Sequence, residues 1–360
     1  MSKYASVFEL LQREILEGKY SHGRRLPSEA ELARRHKVSR PTAARALREL
    51  QQLGVIVRRV GSGSFLRQES KQDPSVAGKR FGLLVPGLGN TEILDPICNE
   101  ITRYAQSLRC EVLWGDANEP VENAADADTL CRHYIDSGVD GVFFAPIERI
   151  NHREDCNRAI AERFHAAKIP VVLLDRDFVE FPTRSDLDLV GIDNLAAAIE
   201  LVAHLLQTGS RRICFLSRPH YPSTTELRRL GCEEALRRAG IKMDYILAHY
   251  GNPEDSEFVS SMLSSARSDA IVCANDQGAA VLMQTLAGAN FRVPRDVRIA
   301  GFDDVRYASL LSVPLTTMHQ PCRELGRTAV ATLLARIADP SLPPRQILLK
   351  AELITRASTA

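Results

Sequence analysis

No apolar run in this 360-residue chain approaches the roughly 20 residues that a membrane-spanning helix needs, which argues against a membrane role. Cys-x-x-Cys pairs are also missing. The eight cysteines (Cys98, Cys110, Cys131, Cys156, Cys214, Cys232, Cys273, Cys322) stand singly, most among apolar neighbours, and read as reduced packing residues rather than disulfides or zinc ligands. The opening segment MSKYASVFELLQREI has no basic stretch followed by an uninterrupted apolar core and a small-residue cleavage site, so the expectation is a cytoplasmic protein. Signatures of common catalysts are absent too. Gly87-Leu88-Gly89 lacks the third glycine of a dinucleotide fingerprint, and there is neither a phosphate-binding Gly-Lys-Ser/Thr loop nor a Gly-x-Ser-x-Gly elbow. His152-Arg153-Glu154-Asp155-Cys156 is rich enough for metal chemistry, but it reads as the acidic start of a surface helix. No catalytic residue, metal or cofactor is therefore expected.

Net charge is nearly absent as well, at +1, but its distribution is uneven. Residues 1–68 hold 14 basic and 6 acidic side chains, and the remainder holds 32 and 39. A basic head on an acidic body implies that the head is the part that meets a polyanion.

Within that head, Val7, Leu10, Leu11 and Ile15 recur at helical steps and Gly18 ends the run. Ser28 can cap a second helix, with Glu31 returning the bond, and this helix ends near His36-Lys37. Ser39 then caps a third, apolar on one face from Ala43 to Leu53. Past Gly54 the pattern changes to a period of two, and Arg59 to Leu66 reads as a tight hairpin. The order predicts a winged helix-turn-helix, its third helix free to enter a major groove.

The segment LPSEAELARRHKVSRPTAARALRELQQLGVIVRRVGSGSFL resembles the GntR family over about residues 4–68. The resemblance implies that Ser39, Arg40 and Thr42 open the recognition helix against operator double-stranded DNA. It further implies that the wing tip Gly61-Ser62-Gly63, flanked by Arg59, lies in the adjoining minor groove. Arg45, next to Ala44, is a further candidate contact in compensation for the arginine missing there. Arg40 has the geometry for a bidentate bond to guanine, and Ser39 and Thr42 can hold phosphates. Capping for Ser39 and a solvated basic face for Arg34, Arg35, Arg40 and Arg45 are the alternative readings. Ala30 and Ala44 stand where many relatives carry arginine, so no operator sequence follows.

Residues 69–79 are polar, lack periodicity and read as a linker. From Arg80 short apolar strands (RFGLLVP, EVLWGD, GVFFAP, PVVLLDR, LVGID, RICFLS, ILAHY, AIVCAND, RIAGFDD) alternate with amphipathic helices, the pattern of parallel sheets covered on both faces. Ligands of such sheets bind at the carboxyl ends of the strands. Those ends here carry Asn90, Asp175-Arg176, Asn275-Asp276 and Asp303-Asp304.

The landmarks FGLLVPGLGN, VVLLDR, LRRLGCEEALRRAGI, CANDQGAAVL, VRIAGFDD and PLTTMHQPCRELGRTAV resemble, in order, the LacI/galactose-repressor effector domain, itself similar to periplasmic sugar-binding proteins. The resemblance implies an α/β body of two subdomains over residues 80–360. The first spans about 80–187 and 322–348, the second about 188–317 and 349–360, joined by three crossings with a small polar effector, a sugar or derivative, between them. It places effector contacts on Asn90, Asp175, Arg176, Arg228, Asn275, Asp303 and Gln320. Carboxylates accept from paired hydroxyls while Arg, Asn and Gln donate, which suits a polyhydroxy ligand. Each of these residues also has a structural reading, and Asn275 in particular can cap the helix that follows it. The aromatic pair with which sugar binders often stack on a ring is replaced by Asn90-Thr91-Glu92-Ile93. The expectation is an allosteric, homodimeric, sugar-responsive repressor. The rival readings are a sugar-processing enzyme or a transport receptor built on the same body.

Overall fold

The computed structural model describes residues 7, 10, 11, 14, 15, 19, 20, 26–52, 56–59, 63–66, 76–87, 92–115, 121, 123–148, 153–219, 222–242, 245 and 247–360. The chain divides into two units, Met1–Ala77 and Gly78–Ala360, each with its own apolar core.

In the first unit, Val7 and Leu11 come from the first helical stretch and pack with Leu26, Leu32, Ala43, Leu47, Leu50 and Ile56. Leu10, expected on the same face, is 42% exposed instead. Helix α1 (Glu29–Arg35) opens with the expected capping box: the Ser28 hydroxyl accepts from the Glu31 amide, and a Glu31 carboxylate oxygen accepts from the Ser28 amide at 2.6 Å. Helix α2 (Arg40–Gln52) follows. Strands β1 (Ile56–Arg59) and β2 (Gly63–Leu66) pair antiparallel, with Arg59 opposite Gly63. The Leu26 amide donates to the Ser64 carbonyl at 2.7 Å, which ties the hairpin to the chain before α1.

The second unit holds two six-stranded sheets. The first is built from β3 (Arg80–Leu84), β4 (Glu111–Trp114), β5 (Gly141–Phe144), β6 (Val171–Leu174), β7 (Asp188–Ile192) and a late strand, β13 (Gln346–Leu349). Their order across the sheet is β13-β7-β6-β5-β3-β4, all parallel. The second contains β8 (Ile213–Ser217), β9 (Ala248–Tyr250), β10 (Ala270–Cys273), β11 (Arg298–Asp303), β12 (Thr316–His319) and β14 (Glu352–Ile354). Its order is β14-β12-β11-β10-β8-β9, with β14 alone antiparallel. Continuous apolar strands such as Val171–Leu174 are buried on every residue because helices cover both faces. Each Leu or Val so buried contributes about 1.5–3 kcal/mol.

Helices α3 (Leu94–Ser107), α4 (Ala124–Asp136) and α5 (Arg153–Ala166) serve the first sheet, as does α10 (Cys322–Ala338). Glu154 and Asp155 fall in the first turn of α5, as its dipole favours; His152 lies outside the described residues. Helices α6 (Asn194–Gln207), α7 (Ser223–Arg238), α8 (Ser256–Ala266) and α9 (Asp276–Gly288) serve the second. Gly231 shows why the LRRLG segment has its glycine. A Cβ there would stand 2.4 Å from the Leu195 carbonyl oxygen, so the residue lets α7 lie directly against α6.

The chain crosses between the sheets after β7, after β12 and after β13. A boundary between residues 187 and 188 was expected, but β7 hydrogen-bonds between β6 and β13 and thus belongs wholly to the first sheet. Most of the expected linker, residues 69–75, lies outside the described residues.

Candidate functional site

In the head, Ser39 caps α2: its hydroxyl accepts from the Thr42 amide at 3.3 Å and lies 2.7 Å from the Thr42 hydroxyl. The two hydroxyls thus form one polar pair at the start of the helix, next to the exposed Arg40. Arg45 is exposed one turn further on. Gly63 has φ 108°, a left-handed conformation that glycine adopts without a Cβ penalty, and Arg59 faces it in register. Gly61 and Ser62 lie outside the described residues. Arg35, expected on the basic face, is committed internally: its guanidinium bonds Glu14 at 2.5 Å and the Tyr20 hydroxyl at 3.4 Å. Burial would raise the Glu14 carboxyl, but Tyr20, Lys19 and Arg35 together hold it below its ordinary value.

In the body, Asp175, Asp303 and Gln320 come together where the two sheets present their strand ends. Asp175 follows β6, Asp303 ends β11, and Gln320 lies on the crossing after β12. Asp303 and Gln320 share a 2.7 Å hydrogen bond donated by the Gln320 amide, and Asp303 is near enough to Asp175 for the two carboxylates to repel. Asp175, Asp303 and Asp304 all have positive φ (69°, 111° and 53°), backbone strain of the kind found at functional strand ends.

Arg228 is buried beneath this group. Its Nε donates to Asn194 at 2.7 Å, one terminal nitrogen donates to the Ala274 carbonyl at 2.5 Å, and the other stands 3.6 Å from Asp303. Its guanidinium also lies 4.4 Å from the Phe302 ring centroid. Burial pushes the Asp303 carboxyl up, against the opposing pull of Arg228 and Gln320. Arg176 donates to Asp175 and to the Pro146 carbonyl, both at 3.0 Å, and pairs with Glu148 at 3.3 Å.

Asn275 is the N-cap of α9, its side chain accepting from the Gly278 amide at 2.9 Å, so the capping reading describes its visible bond. Asn90 lies outside the described residues. Three participants carried no usable local signal: Asn194 and Glu148 hold Arg228 and Arg176, and Tyr307 bonds Glu92 from the other subdomain. Asp276, which the sequence places at a strand end, is buried behind Asp303. Glu92 itself is exposed. Cys322, beside Asp303 and Asp175, has its thiol pushed up to about 12 by burial and those carboxylates, so it stays protonated.

A cavity of about 240 Å³ opens beside this cluster, lined from the first subdomain by Asp175, Arg176 and Phe181 and from the second by Asn194, Thr224 and Leu227. A larger groove of about 850 Å³ lies at the opposite, amino-terminal ends of β5, β6 and β7. Its buried carboxylate, Asp188, is already bonded by Arg336 and Arg345, and the carboxyl-end site is the better ligand candidate for a parallel sheet.

A nucleic-acid-reading head of winged type and a two-sheet body with polar strand ends define a bacterial transcriptional regulator. Residues 3–66 match the bacterial regulatory proteins of the gntR family, and residues 202–359 match the periplasmic binding protein-like domain. The ribose operon repressor of Haemophilus influenzae is 30% identical over 291 residues, 78% of this chain and 81% of that protein. The arabinose metabolism transcriptional repressor of Geobacillus stearothermophilus is 25% identical over 100% of this chain and 98% of its own. Against the ribose operon repressor of Escherichia coli K12, 32% identical over 209 residues, the chain spans 61% of that protein's length. A solved structure of the transcriptional regulator CelR with cellobiose superposes with a TM-score of 0.67 at 21% identity, covering 92% of this chain and 100% of that one, a likeness of fold. The chain belongs to the family of the ribose operon repressors, the LacI-type transcriptional regulators, and carries a gntR-type head.

Proposed function

We propose that this protein is a ligand-responsive repressor of a carbohydrate-utilisation operon, acting as a cytoplasmic homodimer whose effector is a small polyhydroxy compound. The observation that carries the reading is the meeting of Asp175, Asp303 and Gln320 from two subdomains in a chain that also bears a gntR-type head. Relatives named for ribose and arabinose operons, and a fold neighbour holding cellobiose, support the same ligand class. Ser39, Arg40, Thr42, Arg45, Arg59 and the wing tip Gly61–Gly63 would contact the operator, and each head would read one half-site. Two linked heads gain affinity through their effective concentration. Effector binding between the subdomains would favour one arrangement of the paired bodies and thereby change the fit of the heads to the operator.

Such coupling is reciprocal: operator DNA must change effector affinity by the same factor as effector changes operator affinity. The test selects an operator from random duplexes with the full chain, then measures each affinity with and without the other ligand. A two-fold symmetric site and equal factors are expected. An asymmetric site would remove the dimeric reading, and a bound sugar with no effect on operator affinity would remove the regulatory one.

A further inference from the structure

The cavity of about 240 Å³ beside the polar cluster has a mainly apolar wall. Neither Asp303 nor Gln320 lines it; it runs instead along the edge of the first sheet, where β7 pairs with β13. Phe181, Leu189, Ile192 and Leu348 face it from the first subdomain, and Leu195 and Leu227 from the second. Phe181 and Leu348 are 49% and 46% exposed, so two large apolar side chains present bare surface to one concavity.

The polar groups around it are committed to protein partners. Asp177 accepts from the Val179 amide and from the amide and hydroxyl of Ser185, and the Ser223 hydroxyl donates to the Asp177 carbonyl across the subdomains. Asp193 caps α6 through the Ala196 amide, and Asn194 is held between the Ile192 carbonyl and Arg228. Asp175 Oδ1 and Arg176 Nε make no hydrogen bond among the described residues, but both atoms are closed off from solvent, so neither is open to a molecule in the cavity. Arg184 stands exposed at the rim. A held water needs about two to four polar partners, and this wall offers few. A charged group would lose its hydration there without recovering it, whereas an apolar surface loses nothing by leaving water. An apolar cavity of about 150 Å³ admits benzene, so one of about 240 Å³ admits a molecule of two rings.

We infer that this cavity is a second ligand site, separate from the polar cluster, for a small uncharged apolar molecule of two-ring size. Such a site is independent of the polyhydroxy reading, since Asp303 and Gln320 lie outside it. Its walls come from both subdomains, so an occupant stabilises the arrangement in which they face one another and acts as a second input to the same conformational equilibrium.

The experiment is calorimetric titration of the full chain with indole and with camphor, each at two temperatures. At least one of them should bind with a Kd below about 1 mM and with a negative change in heat capacity, the mark of apolar burial. Leu227→Trp, which fills the cavity from the second subdomain, should weaken that binding at least tenfold. Phe181→Ser strips apolar surface from the exposed rim, where the fold does not depend on it, and should weaken binding several-fold. Binding of neither probe, binding without the heat-capacity change, or an affinity unaltered in Phe181→Ser or in a folded Leu227→Trp overturns the inference. None of these outcomes bears on the polyhydroxy reading.

Discussion

Asp276 is a carboxylate that the fold has taken entirely out of water. It opens α9 with no exposed surface, accepting from the Thr317 hydroxyl at 2.6 Å and the Val305 amide at 3.1 Å. Burial above all, and then the nearby Asp303, push its carboxyl up to about 8, against the opposing bonds from Thr317 and Val305. An unfolded chain releases this proton near 3.8, so between about 3.8 and 8 the folded state holds a proton that the unfolded state has lost. Its contribution to stability is fully present below that window, declines as pH rises through it, and is gone once pH passes about 8. In Asp276→Asn the amide can still accept from Val305 and can donate to Thr317. Denaturant titration at pH 5 and pH 9 should show the wild type losing on the order of a few kcal/mol between them, with a flatter profile in the variant. Equal slopes would show that Asp276 ionises without cost.

Three elements that meet beside a subdomain crossing depend on a single side chain. Asp188 starts β7 and is fully buried, accepting from Arg336 of α10 at 3.0 Å and from both the amide and guanidinium of Arg345, just before β13, at 2.9 and 3.2 Å. Burial would lift its carboxyl, but the two guanidiniums and the amide together hold it below the ordinary value. Its stabilisation is therefore present above the unfolded value of 3.8 and is lost as pH falls through the folded one. Asp188→Ala leaves Arg336 facing a buried vacancy, while the more exposed Arg345 recovers water. The expected loss is about 3 kcal/mol, the lower end for a broken buried pair. A loss under about 1 kcal/mol would show that solvent replaces the carboxylate at the junction.

On the scale of the whole molecule, the charge is segregated between two units with separate cores. The basic residues 1–68 sit in the unit Met1–Ala77, and all but residues 69–77 of the acidic remainder form the unit Gly78–Ala360. Separate cores predict separable defects. Arg40→Ala removes an exposed charge at the start of α2, so it should weaken specific operator binding by about 1–3 kcal/mol and leave sugar-induced thermal stabilisation of the body unchanged. Operator affinity equal to wild type would assign Arg40 to a solvated face, and loss of the sugar response would show that the two units do not respond independently.

What the sequence determined by itself is local. The Ser28–Glu31 box, the Ser39 cap, the Asn275 cap and the buried strands follow from hydrogen bonds and side-chain periods spanning a few residues, which a short window of sequence contains. Leu10 defied that window because an apolar residue on a helix is buried only if a neighbouring element covers it. The long-range pairings were decided by tertiary structure. Arg228 finds Asn194 across 34 residues, Gln320 finds Asp303 across 17, and β7 joins the first sheet because β6 and β13 flank it. Sequence spacing sets which groups lie at the strand ends, but the packing of two sheets in three dimensions decides which are consumed by one another and which remain for a ligand.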